Sequence, residues 1–190
     1  MRLAPIVLFF EQDAELAIEM AGESSRTTHG ARAAIDSCRY FAGLIVGALR
    51  GAPKATLLSS MYCPVPALWE RLPLHPAVVS VAAGSFWKKR PPEIRGGHGY
   101  VIDTLEAALW AFASTDDFKG GALAAVNLGG DADTTGAVFG QIAGAFYGLE
   151  AIPKVWRDRI AFSAEIHAMA ERLSQGAKSE PVSECFTRCL

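Results

Sequence analysis

The residues best suited to chemistry lie in one short segment, between Asn127 and Gly136. Two carboxylates, Asp131 and Asp133, and the hydroxyl of Thr134 follow a pair of glycines and precede a helical pattern. In a turn that enters a helix these oxygens can converge on one point, and oxygen ligands of this kind select hard divalent cations such as Mg²⁺. The same residue types are common helix caps, so the spacing alone leaves a metal site and a simple N-cap both open.

From the last residue of this segment onward, a glycine stands at every fourth position: Gly136, Gly140, Gly144 and Gly148. A glycine inside a helix costs up to about 1 kcal/mol relative to alanine, so a helix that keeps several of them has a reason to do so. We interpret them as a smooth face on which another helix, or a ligand, packs closely. The pattern therefore predicts a buried central helix with the acidic cluster at its N-terminus.

A second interpretation of the acidic segment is a phosphatase site. The spacing Asp131-x-Asp133-x-Thr135 resembles the DxDxT pattern of haloacid-dehalogenase-like phosphatases, in which the first Asp attacks phosphate. That pattern needs a buried strand directly before the first Asp. Asn127-Leu-Gly-Gly stands there instead, and strand-like alternation is lacking elsewhere, which argues against this interpretation.

Other residues with chemical potential are scattered along the chain. His29 follows Thr27-Thr28 and precedes a helical pattern, where it either contacts a ligand or is an ordinary surface histidine. We interpret Thr115-Asp116-Asp117 as the cap of the helix that follows it. The four cysteines have no CxxC pair and no histidine at zinc spacing, so reduced thiols are expected, although the last two are close enough for a disulfide or a metal. These cysteines are Cys38, Cys63, Cys185 and Cys189.

Helical spacing of apolar residues dominates the chain and predicts an all-α fold. Asp13 is the expected N-cap of the first long helix and Gly22 its expected C′ residue. The prolines between Pro53 and Pro92 predict short helices and turns in the middle of the chain. We predict one compact domain over residues 1–175 and a polar C-terminal tail over 176–190. The helical patterns run from Ala14 to Ala21, Ala31 to Leu49, Tyr100 to Ser114 and Lys154 to Leu173.

The composition excludes several classes of protein. The 190 residues carry 18 basic and 20 acidic side chains, a formal charge of −2, and 51% are apolar, as in a globular domain. A nucleic-acid partner is not expected, because it would need a strongly basic surface. The longest apolar runs, Leu3 to Phe10 and Phe41 to Leu49, are well short of the roughly 20 residues of a membrane span. Acidic residues follow the first run at once, without a cleavage site, so we expect a cytoplasmic protein.

The acidic segment and the glycine-bearing helix together resemble a known signature. The C-terminal signature of the ADP-ribosylglycohydrolase family is similar to Asn127-Leu-Gly-Gly-Asp-Ala-Asp-Thr-Thr-Gly136, continued by Gly140-Gln-Ile-Ala-Gly-Ala-Phe-Tyr-Gly148. The helix before that signature resembles the stretch from Gly99 to Phe112. Thr28-His29 and the stretch from Met1 to Pro5 match earlier landmarks, so the similarity runs in order from Met1 to about Trp156.

This resemblance implies a fold, a reaction and a set of site residues. Members are all-α, bind two Mg²⁺ or Mn²⁺ ions in a central cleft, and hydrolyse the bond between C1″ of ADP-ribose and a protein side chain or another acceptor. By resemblance, Asp131, Asp133 and Thr134 are metal ligands, and the two carboxylates are the catalytic residues. His29 would lie near the ADP-ribose, and Tyr100 beside its ribose or adenine.

The chain departs from the family pattern upstream of its first residue. In the family the Met-Arg-x-x-Pro landmark falls about halfway along the domain, after a Thr-Asp-Asp metal cluster and a Gly-rich diphosphate loop. Half of the metal site is therefore expected to be absent, and the chain is expected to be a fragment, a shortened inactive relative, or one half of a site completed by a second polypeptide. A non-catalytic ADP-ribose-binding or assembly module stays open. Uncovered apolar faces at Leu3 to Phe10 and Phe41 to Leu49 predict self-association.

Overall fold

The computed structural model describes residues 2–91, 93–94 and 99–179. Within these ranges the chain is helical, without a strand, as the sequence predicts. A single 3-10 turn at Leu149–Ala151 joins two of the helices. The helices are α1 (Ala4–Phe10), α2 (Ala14–Arg26), α3 (Arg32–Leu49), α4 (Lys54–Leu57), α5 (Leu68–Arg71), α6 (Pro76–Ala82), α7 (Ser85–Lys88), α8 (Val101–Ala113), α9 (Phe118–Val126), α10 (Ala132–Tyr147), α11 (Lys154–Arg157) and α12 (Ser163–Ser179).

Helix α3 is the centre of the fold. Its residues from Tyr40 to Ala48 are all buried, because α1, α2, α6, α8 and α10 pack around it. A helix that is apolar on every side is one that other elements surround. The prediction that the glycine-bearing helix is the buried central one is therefore wrong, since α10 buries one face only and leaves Ala137 exposed on the other.

Helix α2 begins where the sequence predicts and ends later. The Asp13 carboxylate accepts a hydrogen bond from the backbone N–H of Leu16 at 3.0 Å, so it caps the helix. Gly22, the predicted C′ residue, is instead buried inside α2, which continues to Arg26. The reason is tertiary packing: the Arg39 side chain of α3 crosses α2 at this point, and a Cβ on Gly22 would lie 3.0 Å from its Cγ.

The linking segment between α3 and α8 consists of short helices, as its prolines predict, and a buried carboxylate ties it to α3. Asp36 is 3% exposed. It accepts hydrogen bonds from Arg39 Nη1 at 2.8 Å and from the backbone N–H of His75 at 2.8 Å. Arg32 Nε lies 3.4 Å from the same carboxylate. The carboxylate is therefore fully partnered and holds the segment before α6 against α3.

The C-terminal region forms two helices where the sequence predicts one. Helix α11 ends at Arg157, and α12 begins at Ser163 after Phe162, whose backbone is left-handed with φ 59°. A non-glycine residue with this backbone interrupts a right-handed helix. Helix α12 packs on α1 and reaches Ser179, so residues 180–190 of the predicted tail, with Cys185 and Cys189, lie outside the described residues.

The apolar runs that the sequence expects to be uncovered are largely covered. Phe41 and Leu44 lie in the core, and so do Leu3 and Val7. Leu8 and Phe9 of α1 are partly exposed, and Leu49 is 37% exposed. Exposed large apolar side chains lie instead around α11 and α12. None of the described helices is long and apolar enough to cross a membrane. The exposed set in this region comprises Leu149, Val155, Ile160, Phe162, Ile166 and Met169.

Candidate functional site

A cavity of about 400 Å³ lies where α2, α3, α8 and α10 meet the start of the chain. Each of these elements contributes one short stretch to its wall, so the site depends on the packing of the whole helical bundle. The wall combines apolar side chains with hydroxyls and a few charged groups. The polar part of the wall includes Arg2, Thr28, His29, Cys38, Asp131 and Thr134, and the apolar part includes Ala21, Phe41, Leu105 and Val138.

The acidic turn is shaped by two successive left-handed glycines. Gly129 and Gly130 have φ values of 75° and 64°, which glycine adopts without steric cost. They reverse the chain after α9, so that Asp131 precedes the first residue of α10. Its carbonyl accepts the backbone N–H of Thr135 at 3.0 Å. The hydroxyl and the backbone N–H of Thr134 both interact with its carboxylate. The Asp131 side chain therefore contacts the first turn of α10 and also lines the cavity.

The residues before this turn argue against the phosphatase interpretation. Helix α9 ends at Val126, and the chain enters the turn directly from it. The DxDxT arrangement needs a buried strand at this position, so the spacing of the two carboxylates here belongs to a turn between helices. By contrast, Thr115-Asp116-Asp117 is the cap that the sequence predicts, because the Asp117 carboxylate accepts the N–H of Gly120 at 2.8 Å.

The predicted metal ligands lie together at the start of α10. Asp131 and Thr134 line the cavity, whereas Asp133 is exposed beside them and is not part of the cavity wall. The Thr134 hydroxyl, and then the side chain of Asp133, hold the pKa of Asp131 below its ordinary value. Asp131 is therefore an anion at neutral pH, as a cation ligand or an acceptor for sugar hydroxyls must be.

The oxygen ligands of this turn are of the type that a hard cation prefers, but there are too few of them to complete its coordination. Mg²⁺ requires six oxygen ligands, and two carboxylates with one hydroxyl cover at most one side of the ion. In the described ranges no group of three or more His, Cys, Asp or Glu side chains is arranged to hold an ion. The residues fit an ion that takes its remaining ligands from water, from substrate or from further protein groups.

Another part of the wall brings two distant sequence landmarks together. Arg2 Nη2 donates to the hydroxyls of Thr27 and Thr28, at 3.1 and 3.2 Å. Nδ1 of His29 lies 3.0 Å from Thr28 Oγ1, and the His29 carbonyl accepts the Ser25 hydroxyl at 3.0 Å. His29 lines the same cavity as Asp131, and its contact with ADP-ribose stays a prediction.

Tyr100 is not part of the cavity wall. It is the residue before α8 and its side chain is 49% exposed, while its neighbours Gly99 and Val101 line the cavity. The predicted contact between Tyr100 and a ribose or adenine thus stays a prediction for a ligand that extends beyond the cavity.

Sequence reasoning overlooked Cys38, a wall residue on α3. Burial raises the pKa of its thiol, and a hydrogen bond with Ser25 opposes this shift. Cys38 and Cys63 are both free thiols. The cavity wall forms only when α3 packs against other helices, so the sequence around Cys38 does not single it out.

The predicted close packing on the glycine face is found at one position. A Cβ on Gly136 would lie 3.0 Å from Val126 Cγ1 of α9, so the two helices approach closely there. The corresponding positions on Gly140 and Gly144 have no atom of the described residues within 4 Å. Gly148 ends α10 with φ 79°.

Comparison with known proteins places this arrangement in a family. A sequence model described as ADP-ribosylglycohydrolase matches residues 1–181, which is nearly the whole chain. The chain belongs to the ADP-ribosylglycohydrolase family. A solved structure named "ADP-ribosylglycohydrolase-related protein complex" superposes with a TM-score of 0.82 at 47% identity, covering 93% of this chain and 59% of that one. The all-α fold and the family that the acidic signature predicts are both confirmed.

Comparison with curated members of the family shows how much of their length this chain spans. ADP-ribosylarginine hydrolase Tri1 of Serratia proteamaculans is 36% identical over 179 residues, 94% of this chain and 46% of the relative. ADP-ribosyl-[dinitrogen reductase] glycohydrolase of Rhodospirillum rubrum is 44% identical over 66 residues, which are 35% of this chain. The chain therefore spans about half the length of the curated relatives that it matches most extensively.

Proposed function

We propose that this chain binds ADP-ribose attached to a protein side chain, with arginine as the favoured acceptor, and contributes to its hydrolytic release. One observation carries the proposal: an ionised carboxylate, Asp131, lines the same cavity as Thr134 and His29. A relative that matches 94% of this chain is named an ADP-ribosylarginine hydrolase, which supports arginine as the acceptor.

The lowered pKa of Asp131 suits charge stabilisation better than proton abstraction. A carboxylate with a low pKa is a weak base, but it accepts hydrogen bonds from sugar hydroxyls strongly. Cleavage of a glycosidic bond develops positive charge at the anomeric carbon, and a nearby carboxylate stabilises that charge. We assign this role to Asp131, with a hydrogen bond from the Thr134 hydroxyl orienting the carboxylate.

The same turn is the proposed holder of a divalent ion. Asp131, Asp133 and Thr134 would hold Mg²⁺ or Mn²⁺. A bound divalent ion polarises oxygen ligands and lowers the pKa of a bound water. Because these three residues supply too few oxygen ligands for the ion, further groups would have to complete the site.

A second candidate function is ADP-ribose binding without turnover. The observation that favours it is the incomplete ligand set, because two carboxylates and a hydroxyl without further protein ligands bind an ion weakly. In that case the cavity and its hydroxyl rim would retain the ligand while the bond stays intact. The two candidates differ in one measurable property, the release of free ADP-ribose.

The experiment follows release of ADP-ribose from an arginine-modified peptide by chromatography, with Mg²⁺ and with chelator. Wild-type chain is expected to release it, and Asp131→Asn to lower the rate by about tenfold or more, since the neutral amide cannot stabilise the developing charge. Asp158→Asn is the matched control, because Asp158 pairs with Lys154 on the surface outside the cavity. Tight binding with no release by wild type would overturn the hydrolase and support the binding module.

A further inference from the structure

We propose that α12 docks on a second copy of this chain, with the α12 helices of the two copies running antiparallel. The docking surface is an apolar stripe along one side of the helix, which we call the α12 stripe. The inference does not rest on the proposed function, because none of these residues lines the cavity. The α12 stripe consists of Phe162, Ile166, Met169 and Leu173.

The spacing of the α12 stripe is that of a helix face that packs against another helix. Ile166, Met169 and Leu173 follow one another at intervals of three and four residues, as the seam positions of paired helices do. Phe162 extends the stripe by one turn, since its carbonyl accepts the backbone N–H of Ile166 at 2.9 Å. Phe162, Ile166 and Met169 are 75%, 51% and 58% exposed, so no element of the described ranges covers this seam.

Helix α1 borders the α12 stripe along one edge and leaves it open. The partly buried Ser163, Ala170 and Ser174 each follow a stripe residue directly, and each lies about 100° further around the helix. Since α12 packs on α1, we place these three residues on the α1 side. Because α1 already holds α12 in its helical form, association does not carry the cost of forming the helix.

The other edge of the α12 stripe carries two opposite charges. Glu165 and Arg172 directly precede Ile166 and Leu173, and both are exposed. Neither forms an ion pair within the described part of the chain. In a parallel pair of helices this edge would meet the edge of the second copy that packs on α1. In an antiparallel pair like edges meet, so Glu165 of each copy lies beside Arg172 of the other, and two-fold symmetry forms both ion pairs at once.

An antiparallel pair also covers the whole apolar stripe. Ile166 of each copy then faces Met169 of the other, and Phe162 faces Leu173. Contiguous apolar patches on a protein surface mark sites of interaction. A second copy is therefore the occupant that matches both the apolar seam and its charged edge.

The test uses charge reversal and measures association by sedimentation equilibrium. We expect Glu165→Arg and Arg172→Glu each to weaken association by about tenfold or more, because both ion pairs become repulsive contacts. An equimolar mixture of the two variants is expected to regain wild-type association, since opposite charges again meet at both positions. The double variant is expected to do the same. A parallel pair or unspecific apolar association would not produce this rescue.

A matched pair of variants tests the apolar part of the surface. Ile166→Gln is expected to weaken association by about tenfold or more, because the seam loses an apolar side chain from each copy. Leu72→Gln is the control, since Leu72 is also 51% exposed but lies after α5. Equal losses in these two variants would overturn the assignment to α12. A monomeric wild type at high concentration, or a mixture of the charge variants that associates no better than either alone, would overturn the antiparallel pair.

Discussion

At the scale of single residues, the cavity wall combines charges of both signs with hydroxyls and apolar groups. The pKa of Asp131 is held below its ordinary value, and the guanidinium of Arg2 is held by two hydroxyls. Hydroxyl-bearing side chains and apolar groups form the rest of the wall. A ligand that carries phosphates and sugar hydroxyls suits such a wall, and ADP-ribose attached to a protein is such a ligand.

The thiol of Cys38 reports whether the cavity is filled. Its pKa is raised by burial, so less thiolate is present near pH 8 than in an exposed cysteine, and alkylation is expected to be slow and to accelerate as the pH rises beyond the ordinary value. ADP-ribose at about ten times its Kd is expected to slow alkylation about tenfold further, because bound ligand covers the thiol. Peptide mass spectrometry of iodoacetamide-treated protein measures both effects.

Cys63 serves as the control for that measurement. It is a free thiol whose pKa is also raised by burial, and it is not part of the cavity wall. Alkylation of Cys63 should therefore be indifferent to ADP-ribose. Equal protection of both thiols would point to global stabilisation, and absence of protection at Cys38 would place the ligand elsewhere.

At the scale of elements, α10 connects the acidic turn to the core. One face of α10 is buried, and on the other face Gly140 and Gly144 have no close neighbour among the described residues. Its buried face packs on α3, α8 and α9. At the contact with α9, a Cβ on Gly121 would overlap the ring of Phe139 and lie 2.7 Å from Thr115 Oγ1. A Cβ on Gly140 would meet no atom of the described residues within 4 Å.

This contrast predicts opposite effects of one substitution at two glycines. Gly140→Ala is expected to stabilise the fold by up to about 1 kcal/mol, because alanine has the higher helix propensity and the position is open. Gly121→Ala is expected to destabilise it by roughly 1–3 kcal/mol, because the new methyl group overlaps the Phe139 ring. Urea unfolding of both variants measures the difference. Destabilisation by Gly140→Ala would show that another part of the protein or its partner packs on this face.

Local chemistry makes some elements predictable from the sequence. Asp13 and Asp117 act as helix caps because capping depends on residues within one turn. The continuation of α2 past Gly22 could not be predicted, since Arg39 comes from another helix. The contact of Arg2 with Thr28 spans 26 positions in the sequence, and only the packing of α1 against α2 creates it. The acidic turn and His29 could thus be singled out from the sequence, whereas the contact of Arg2 with α2 could not.

At the scale of the whole molecule, the most exposed of the large apolar side chains belong to the segment from α11 to α12. Phe162 is 75% exposed and Val155 is 66% exposed, and Ile166 and Met169 are exposed close by along the chain. Monomeric proteins rarely expose contiguous apolar patches of more than a few hundred Å². Self-association thus stays a prediction, and this surface is the stronger basis for it, because the segment from Phe41 to Ala48 is buried.

Phe162→Asn tests that surface without disturbing the fold. Asparagine adopts the left-handed backbone of this position more readily than phenylalanine does, and it removes the most exposed apolar ring. We expect wild type to associate in sedimentation equilibrium as concentration rises, and the variant to shift towards monomer. A wild-type chain that sediments as a monomer at high concentration would contradict the prediction.

Binding of ADP-ribose in the cavity beside Asp131 is tested most directly by the melting temperature of this chain. The measurement is made with ADP-ribose and Mg²⁺, added separately and together. A ligand at a hundredfold excess over Kd stabilises the folded state by about 2.7 kcal/mol, which is roughly 5–10 °C for a domain of this size. We predict a rise of this order with both additives and a much smaller one for Asp131→Asn. An unchanged melting temperature of wild type under all three conditions would contradict the claim that the cavity beside Asp131 binds ADP-ribose.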